Sequence, residues 1–178
     1  MKNLVIFFSF ILLGFCSCNK NDDALAPPIT AENTFSCKID GKLFVPENHG
    51  GFIPLKGYLV NVYDDNSWRI TLSNGKLTLH LFLKKVNSEG NYEVFQSDGD
   101  QFFVQDLQTA VELYDKTLDK VYISYNNSEE IEVVSYIENQ KIILNFNKIT
   151  LKSSQDSSDI VVLTDGKLNI NKETLNID

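Results

Sequence analysis

Asn74-Gly75 constrains the fold of this chain more than any other stretch. The dipeptide suits a two-residue hairpin turn of type I′, which needs positive φ at both central positions. Counting outward from it sets Leu72 opposite Leu77, Ile70 opposite Leu79 and Trp68 opposite Leu81. The other face then carries Thr71 with Thr78 and Arg69 with His80. A single register sends apolar side chains to one face and mostly polar ones to the other, as a half-buried antiparallel pair requires. Asp165-Gly166 repeats the pattern near the end of the chain, with Leu163 meeting Leu168 and Val161 meeting Ile170. Asp40-Gly41 sits between two short alternating runs, Phe35–Ile39 and Lys42–Val45, and predicts a third hairpin.

Further strands are predicted at Tyr58–Tyr63, Asn91–Phe95, Val121–Tyr125, Ile131–Ile137 and Lys141–Leu151. Asp64-Asp65-Asn66 and Glu138-Asn139-Gln140 are turns, and Ser153–Asp159 is a polar loop. Between Gln105 and Tyr114, the residues Leu107, Ala110, Val111 and Tyr114 follow helical spacing, which predicts a short helix or an irregular segment. About ten short strands with turns between them imply an all-β domain over residues 35–178, an antiparallel β-sandwich or partly open barrel.

The N-terminus is of another kind. Lys2 precedes an apolar run from Leu4 to Phe15, the layout of a secretory signal peptide. The run is shorter than the roughly 20 apolar residues a spanning helix needs. Leu12-Leu13-Gly14-Phe15-Cys16-Ser17-Cys18 resembles a bacterial lipobox, in which cleavage falls just before an acylated cysteine. Small Ser17 precedes Cys18, whereas bulky Phe15 precedes Cys16, so Cys18 is the expected lipidation site. Residues 1–17 are then a lipoprotein signal peptide, and residues 18–34 the acylated cysteine with a flexible tether containing Pro27-Pro28. Asn19-Lys20-Asn21-Asp22-Asp23 resembles the acidic signal that carries such lipoproteins to the cell surface. The expected partner is therefore the outer membrane, reached through the N-terminal lipid, since several acyl chains on one cysteine anchor stably.

Charge and cysteine content narrow the possibilities. The chain carries a net charge of −8, which argues against nucleic acid as a partner. Once Cys16 is removed and Cys18 acylated, Cys37 is the remaining thiol. It alternates in step with Phe35 and Ile39, as a buried small hydrophobe does.

Two segments carry a wider resemblance: Phe35-Ser36-Cys37-Lys38-Ile39-Asp40-Gly41-Lys42, and Val162-Leu163-Thr164-Asp165-Gly166-Lys167-Leu168-Asn169-Ile170 preceded by Ile137–Phe146. Together they resemble small Bacteroidetes-type envelope lipoproteins with a β-rich domain. The resemblance spans nearly the whole mature chain and implies a surface-anchored β-domain. It lends no catalytic residue.

Little in the sequence points to catalysis. His49 and His80 have no Cys or Glu at metal-ligand spacing, and no HExxH, CxxC or GxSxG motif occurs. Asp98-Gly99-Asp100 and Asp64-Asp65-Asn66 could offer oxygens to calcium, but such residues also build ordinary turns. The expectation is no enzyme, no metal and no cofactor. The better lead is aromatic. Phe44, Phe82, Tyr122 and Tyr136 fall opposite to, or out of step with, the apolar stripes, so Phe82, Tyr122 and Tyr136 are candidate ligand contacts for a polysaccharide or an envelope protein. The rival functions are a carrier of a small apolar ligand in a barrel lumen, and a glycan hydrolase built on paired carboxylates.

Overall fold

A computed structural model describes residues 31–48, 56–99, 108–125 and 128–175. The signal peptide, Cys18, the tether up to residue 30, His49 and Asp100 lie outside the described residues. Among those described, eleven strands and no helix occur. They are β1 (Thr34–Ile39), β2 (Lys42–Phe44), β3 (Tyr58–Val62), β4 (Trp68–Ser73), β5 (Leu77–Leu83) and β6 (Gly90–Glu93). The second half supplies β7 (Ala110–Asp115), β8 (Lys120–Ser124), β9 (Glu130–Ile137), β10 (Lys141–Ser153) and β11 (Ile160–Asn171).

All pair antiparallel in one sheet that curls into a half-barrel, in the order β2-β1-β11-β10-β8-β7-β5-β4-β3. The path branches at β10. This strand pairs with β11 along its whole length, with β9 over Lys141–Asn145 and with β8 over Leu151–Ser153. β6 extends the β9 branch. The concave face is one continuous core, in which Trp68, Ile70, Leu79, Leu81, Leu144 and Leu163 have no solvent exposure. Cys37 belongs to it, and burial pushes its thiol up to about 12, so it stays protonated and inert.

The three turn dipeptides fold in different ways. Asp40-Gly41 makes the expected tight hairpin, with Asp40 at φ 48° and Gly41 at φ 78°, and Ile39 opposite Lys42. Around Asn74-Gly75 the turn is longer, and the pairing shifts. Leu72 meets Leu79, Ile70 meets Leu81 and Trp68 meets Leu83. The cause is local: Asn74 Oδ1 accepts from the N–H groups of Lys76 (3.2 Å) and Leu77 (2.9 Å), so the loop runs on to Leu77. A shift of two residues keeps every side chain on its expected face, because the strand period is also two.

Asp165-Gly166 is no turn. Both residues lie inside β11, which stays in register with β10 from Ile160 to Asn171. Against β1 they form a bulge, since the pairing passes from Ser36↔Lys167 to Lys38↔Thr164. Asp165 takes φ 55°, the left-handed conformation that β-bulges use. Gly166 lies opposite Phe146, and a Cβ added there would stand 2.1 Å from the ring's Cζ. The ring therefore occupies the space a side chain at Gly166 would fill.

The helical spacing before Tyr114 is also overridden. Ala110–Asp115 is β7, paired with both β5 and β8. Its residues Ala110, Val111, Glu112 and Leu113 are all buried, because both sheet faces are covered here. A strand buried on both faces loses the alternation by which strands are recognised.

Candidate functional site

The candidate aromatic residues do not form one exposed platform. Phe82 does face away from the main core, but only 4% of it is exposed, with the Tyr63 ring edge-on at 6.3 Å and Lys84 Nζ 5.9 Å from its centroid. Phe44 and Tyr122 face inward and belong to the core. Tyr136 is partly buried and packs edge-on against Trp68 at 6.5 Å. The reason for Tyr136 is a bulge. Pairing passes from Ile143↔Ser135 to Leu144↔Val133, leaving Val134 as an extra residue. That residue reverses the parity of β9 and turns Tyr136 inward. Burial raises the Tyr136 pKa, and the charge of Glu138 adds to the rise.

Tyr122 nonetheless marks a site. It forms the inner wall of a cleft of about 240 Å³ at one end of the half-barrel. Ile39, Leu43, Leu77, Leu118 and Val161 supply apolar walls, and Asp40, Lys42, Asn74 and Asp115 a polar rim. Three hairpin turns meet here: β1–β2, β4–β5 and β7–β8. Each is pinned by one short polar side chain that also lines the cleft. Asp40 Oδ1 accepts from the Val162 N–H at 2.9 Å. Asn74 Oδ1 holds its turn as described above. Asp115 Oδ1 accepts from the N–H groups of Thr117 (2.7 Å) and Leu118 (3.1 Å). The last pair presents Leu118 outward, 58% exposed. The Tyr122 hydroxyl donates to Asp159 (3.3 Å), which pairs with Lys120 at 2.5 Å, so the ring rather than the hydroxyl faces the cleft. Nothing in the sequence marks these turns as neighbours, because they are far apart along the chain.

The convex face of β4, β5 and β7 carries a second polar group. His80 lies opposite Thr71 on one side and Glu112 on the other. Thr71 Oγ1 is 2.9 Å from His80 Nδ1. Burial, and then the charge of Arg69, pulls the His80 pKa down to about 4. Glu112 is 4% exposed and accepts a short hydrogen bond from Ser97 Oγ. Burial raises its pKa; the Ser97 bond and Arg69 oppose this, and Asp98 adds to it. Arg69 and Glu112 thus flank the imidazole, and Ser97 and Asp98 of the 94–99 segment act on Glu112. The arrangement is a hydrogen-bonded polar layer.

This layer sets a pH dependence. His80 has a folded pKa below its unfolded value of about 6.5, so between those values the unfolded chain binds the extra proton. Stability contributed by neutral His80 is therefore lost as pH falls from 6.5 toward 4, by about 3 kcal/mol at roughly 1.4 kcal/mol per unit. Glu112 acts with the opposite sign, since the folded protein keeps its carboxyl proton to higher pH. Urea midpoints at pH 7 and pH 4.5 test the histidine part: His80→Gln is expected to lose less stability on acidification than the parent. Equal losses in the two proteins contradict it.

Asp65 accepts from the Ser67 N–H (3.1 Å) and pairs with Lys84 (2.9 Å), contacts that bring its pKa down to about 2. It serves the turn as a structural carboxylate. Among the described residues no group of three or more His, Cys, Asp or Glu side chains is placed to hold a metal. No protein-family profile, curated protein or solved structure matches this chain. The cleft combines pinned turns, an apolar lining and a polar rim, and among its lining residues no nucleophile stands beside a base.

Proposed function

We propose that this protein is a lipid-anchored envelope module, held by acylated Cys18 at the outer membrane and exposed at the cell surface. There its turn-lined cleft binds a partner and catalyses no reaction. The cleft carries the reading. Binding sites gather on loops positioned by a rigid scaffold, and here three turns from separate hairpins converge on one hollow. The carrier alternative lacks support, because Trp68, Ile70, Leu79 and Leu81 fill the interior that a ligand would need.

The test has two parts. Metabolic labelling with a fatty-acid probe is expected to disappear in Cys18→Ala and persist in Cys16→Ala; the reverse pattern moves the anchor to Cys16. Detergent-solubilised acylated protein is then applied to immobilised envelope polysaccharides and purified envelope proteins. Binding that Leu118→Asp abolishes supports the cleft. Binding that ignores this substitution places recognition elsewhere on the domain.

A further inference from the structure

Across the convex face on the other branch of the sheet runs a line of hydrogen-bonding side chains. Ser36, Lys167, Asn145, Glu132 and Asn91 are successive cross-strand partners on β1, β11, β10, β9 and β6. Neighbouring strands lie about 4.8 Å apart, so the groups form a regular ladder. At its β6 end the ladder sinks into a groove of about 230 Å³, lined by Asn91, Glu130, Glu132, Asn145, Phe146 and Asn147. Asn91 Nδ2 donates to Glu130 Oε2 at 2.9 Å. Among the described residues, no hydrogen bond or ion pair engages the side chains of Glu132, Asn145 or Asn147.

The chemistry of the groove selects its ligand. β9 is flanked by β6 and β10, and β10 by β9 and β11 as far as Asn145, so their backbone donors and acceptors are spent in the sheet there. A chain laid over the groove meets the side chains of these strands, with the one open strand edge lying beyond it on β6, so recognition in the groove falls to side chains. Two carboxylates repel an anion. A cation would use acceptors alone, leaving the Asn145 and Asn147 amide N–H groups idle, and Glu130 is already engaged by Asn91. Planar amides that donate and accept, beside carboxylates that accept, match groups that do both. Those are hydroxyls on adjacent carbons. The side chains stand on strands rather than loops, which fixes their spacing.

We propose that this groove binds a neutral polyhydroxylated ligand, an oligosaccharide laid across β6, β9 and β10 and held by Glu132, Asn145 and Asn147. The assignment rests on the binding-module reading and adds a site separate from the turn-lined cleft. Glu130 and Glu132 are both exposed, without the dry surroundings that make a carboxyl a general acid, so the groove holds sugar without cleaving it.

Calorimetric titration of the detergent-solubilised full-length protein with maltohexaose, cellohexaose and mannohexaose tests this, with calcium chloride in a separate arm. Binding of at least one hexaose is expected, weakened about tenfold by Asn145→Ala and by Asn147→Ala. Thermal midpoints should be unchanged, because both side chains lack partners in the fold. Absence of binding by all three sugars overturns the proposal. So does sugar binding that the asparagine variants leave intact; if Leu118→Asp removes that binding, the cleft reading survives alone. Calcium binding lost in Glu132→Gln, without sugar binding, makes the groove a cation site instead. Release of reducing ends, lost in Glu132→Gln, makes it a hydrolase.

Discussion

Gly166→Ala is expected to destabilise the domain by about 3 kcal/mol, the upper end of the usual cost of overpacking. The new methyl carbon would stand between 2.1 and 2.4 Å from three atoms of the Phe146 ring. That ring is 2% exposed and embedded in the core, so it has no solvent to swing into. Either the ring leaves its rotamer or β10 and β11 separate at their midpoint. Phe146→Leu alone leaves a cavity and costs about 1–2 kcal/mol. Combined with Gly166→Ala it should recover part of the loss, because the smaller side chain vacates the contested space. Denaturant midpoints of the two single variants and the double variant measure this coupling. Strict additivity would show that the ring and the glycine do not share that space.

Trp68→Ala is expected to cost about 4 kcal/mol, in the range for truncating a fully buried aromatic. Trp68 starts β4, sits opposite Leu83 and reaches across the half-barrel to the Tyr136 ring. It therefore joins the β3–β4–β5 wing to the β6–β9 branch, which share no backbone pairing. Trp68→Phe should cost well under half as much. The indole Nε1 and the Tyr136 hydroxyl are both buried without a hydrogen bond, so phenylalanine sacrifices area and no polar contact. Thermal or urea unfolding of the two variants separates these contributions. A phenylalanine variant as unstable as the alanine variant would mean that the indole N–H has a partner after all.

Most of the fold is legible in the sequence wherever alternation and turn chemistry agree. Asp40-Gly41, the strand faces of β4 and β5, and the turn at Glu138-Asn139-Gln140 are cases of this. It is obscured where one residue changes parity or a face is covered unexpectedly. Val134 is the clearest example: alternation from Ile131 and Val133 puts Tyr136 outside, and one bulged residue brings it in. Asp165-Gly166 has the composition of a hairpin turn, but a left-handed aspartate serves a bulge equally well. The choice between them depends on β10 and β1, which lie far away in sequence. Glu112 and the strand around it are hidden for a related reason, since the 94–99 segment covers a face that a strand pattern assigns to solvent. The cleft was legible in part, through Tyr122, though for its ring facing inward rather than outward. The Asn145–Glu132–Asn91 ladder needs two strand registers at once, and no local pattern contains them.

The branching at β10 has a further consequence, for the order of assembly. β1, the first described strand, finds its long partner in β11, the last, with Thr34 opposite Asn169. β10 likewise waits for β11 to complete one whole side of its ladder. Closing so long a loop is entropically slow until nearby contacts have shortened it. The β10–β11 pair, joined by the short Ser153–Asp159 loop, is the local contact able to do so. A chain emerging from its N-terminus during synthesis thus carries β1 and the β3–β4–β5 wing with their central supports still missing. The sheet becomes whole only when the C-terminal strand arrives, and until then the edges of β1 and β10 are open to other chains.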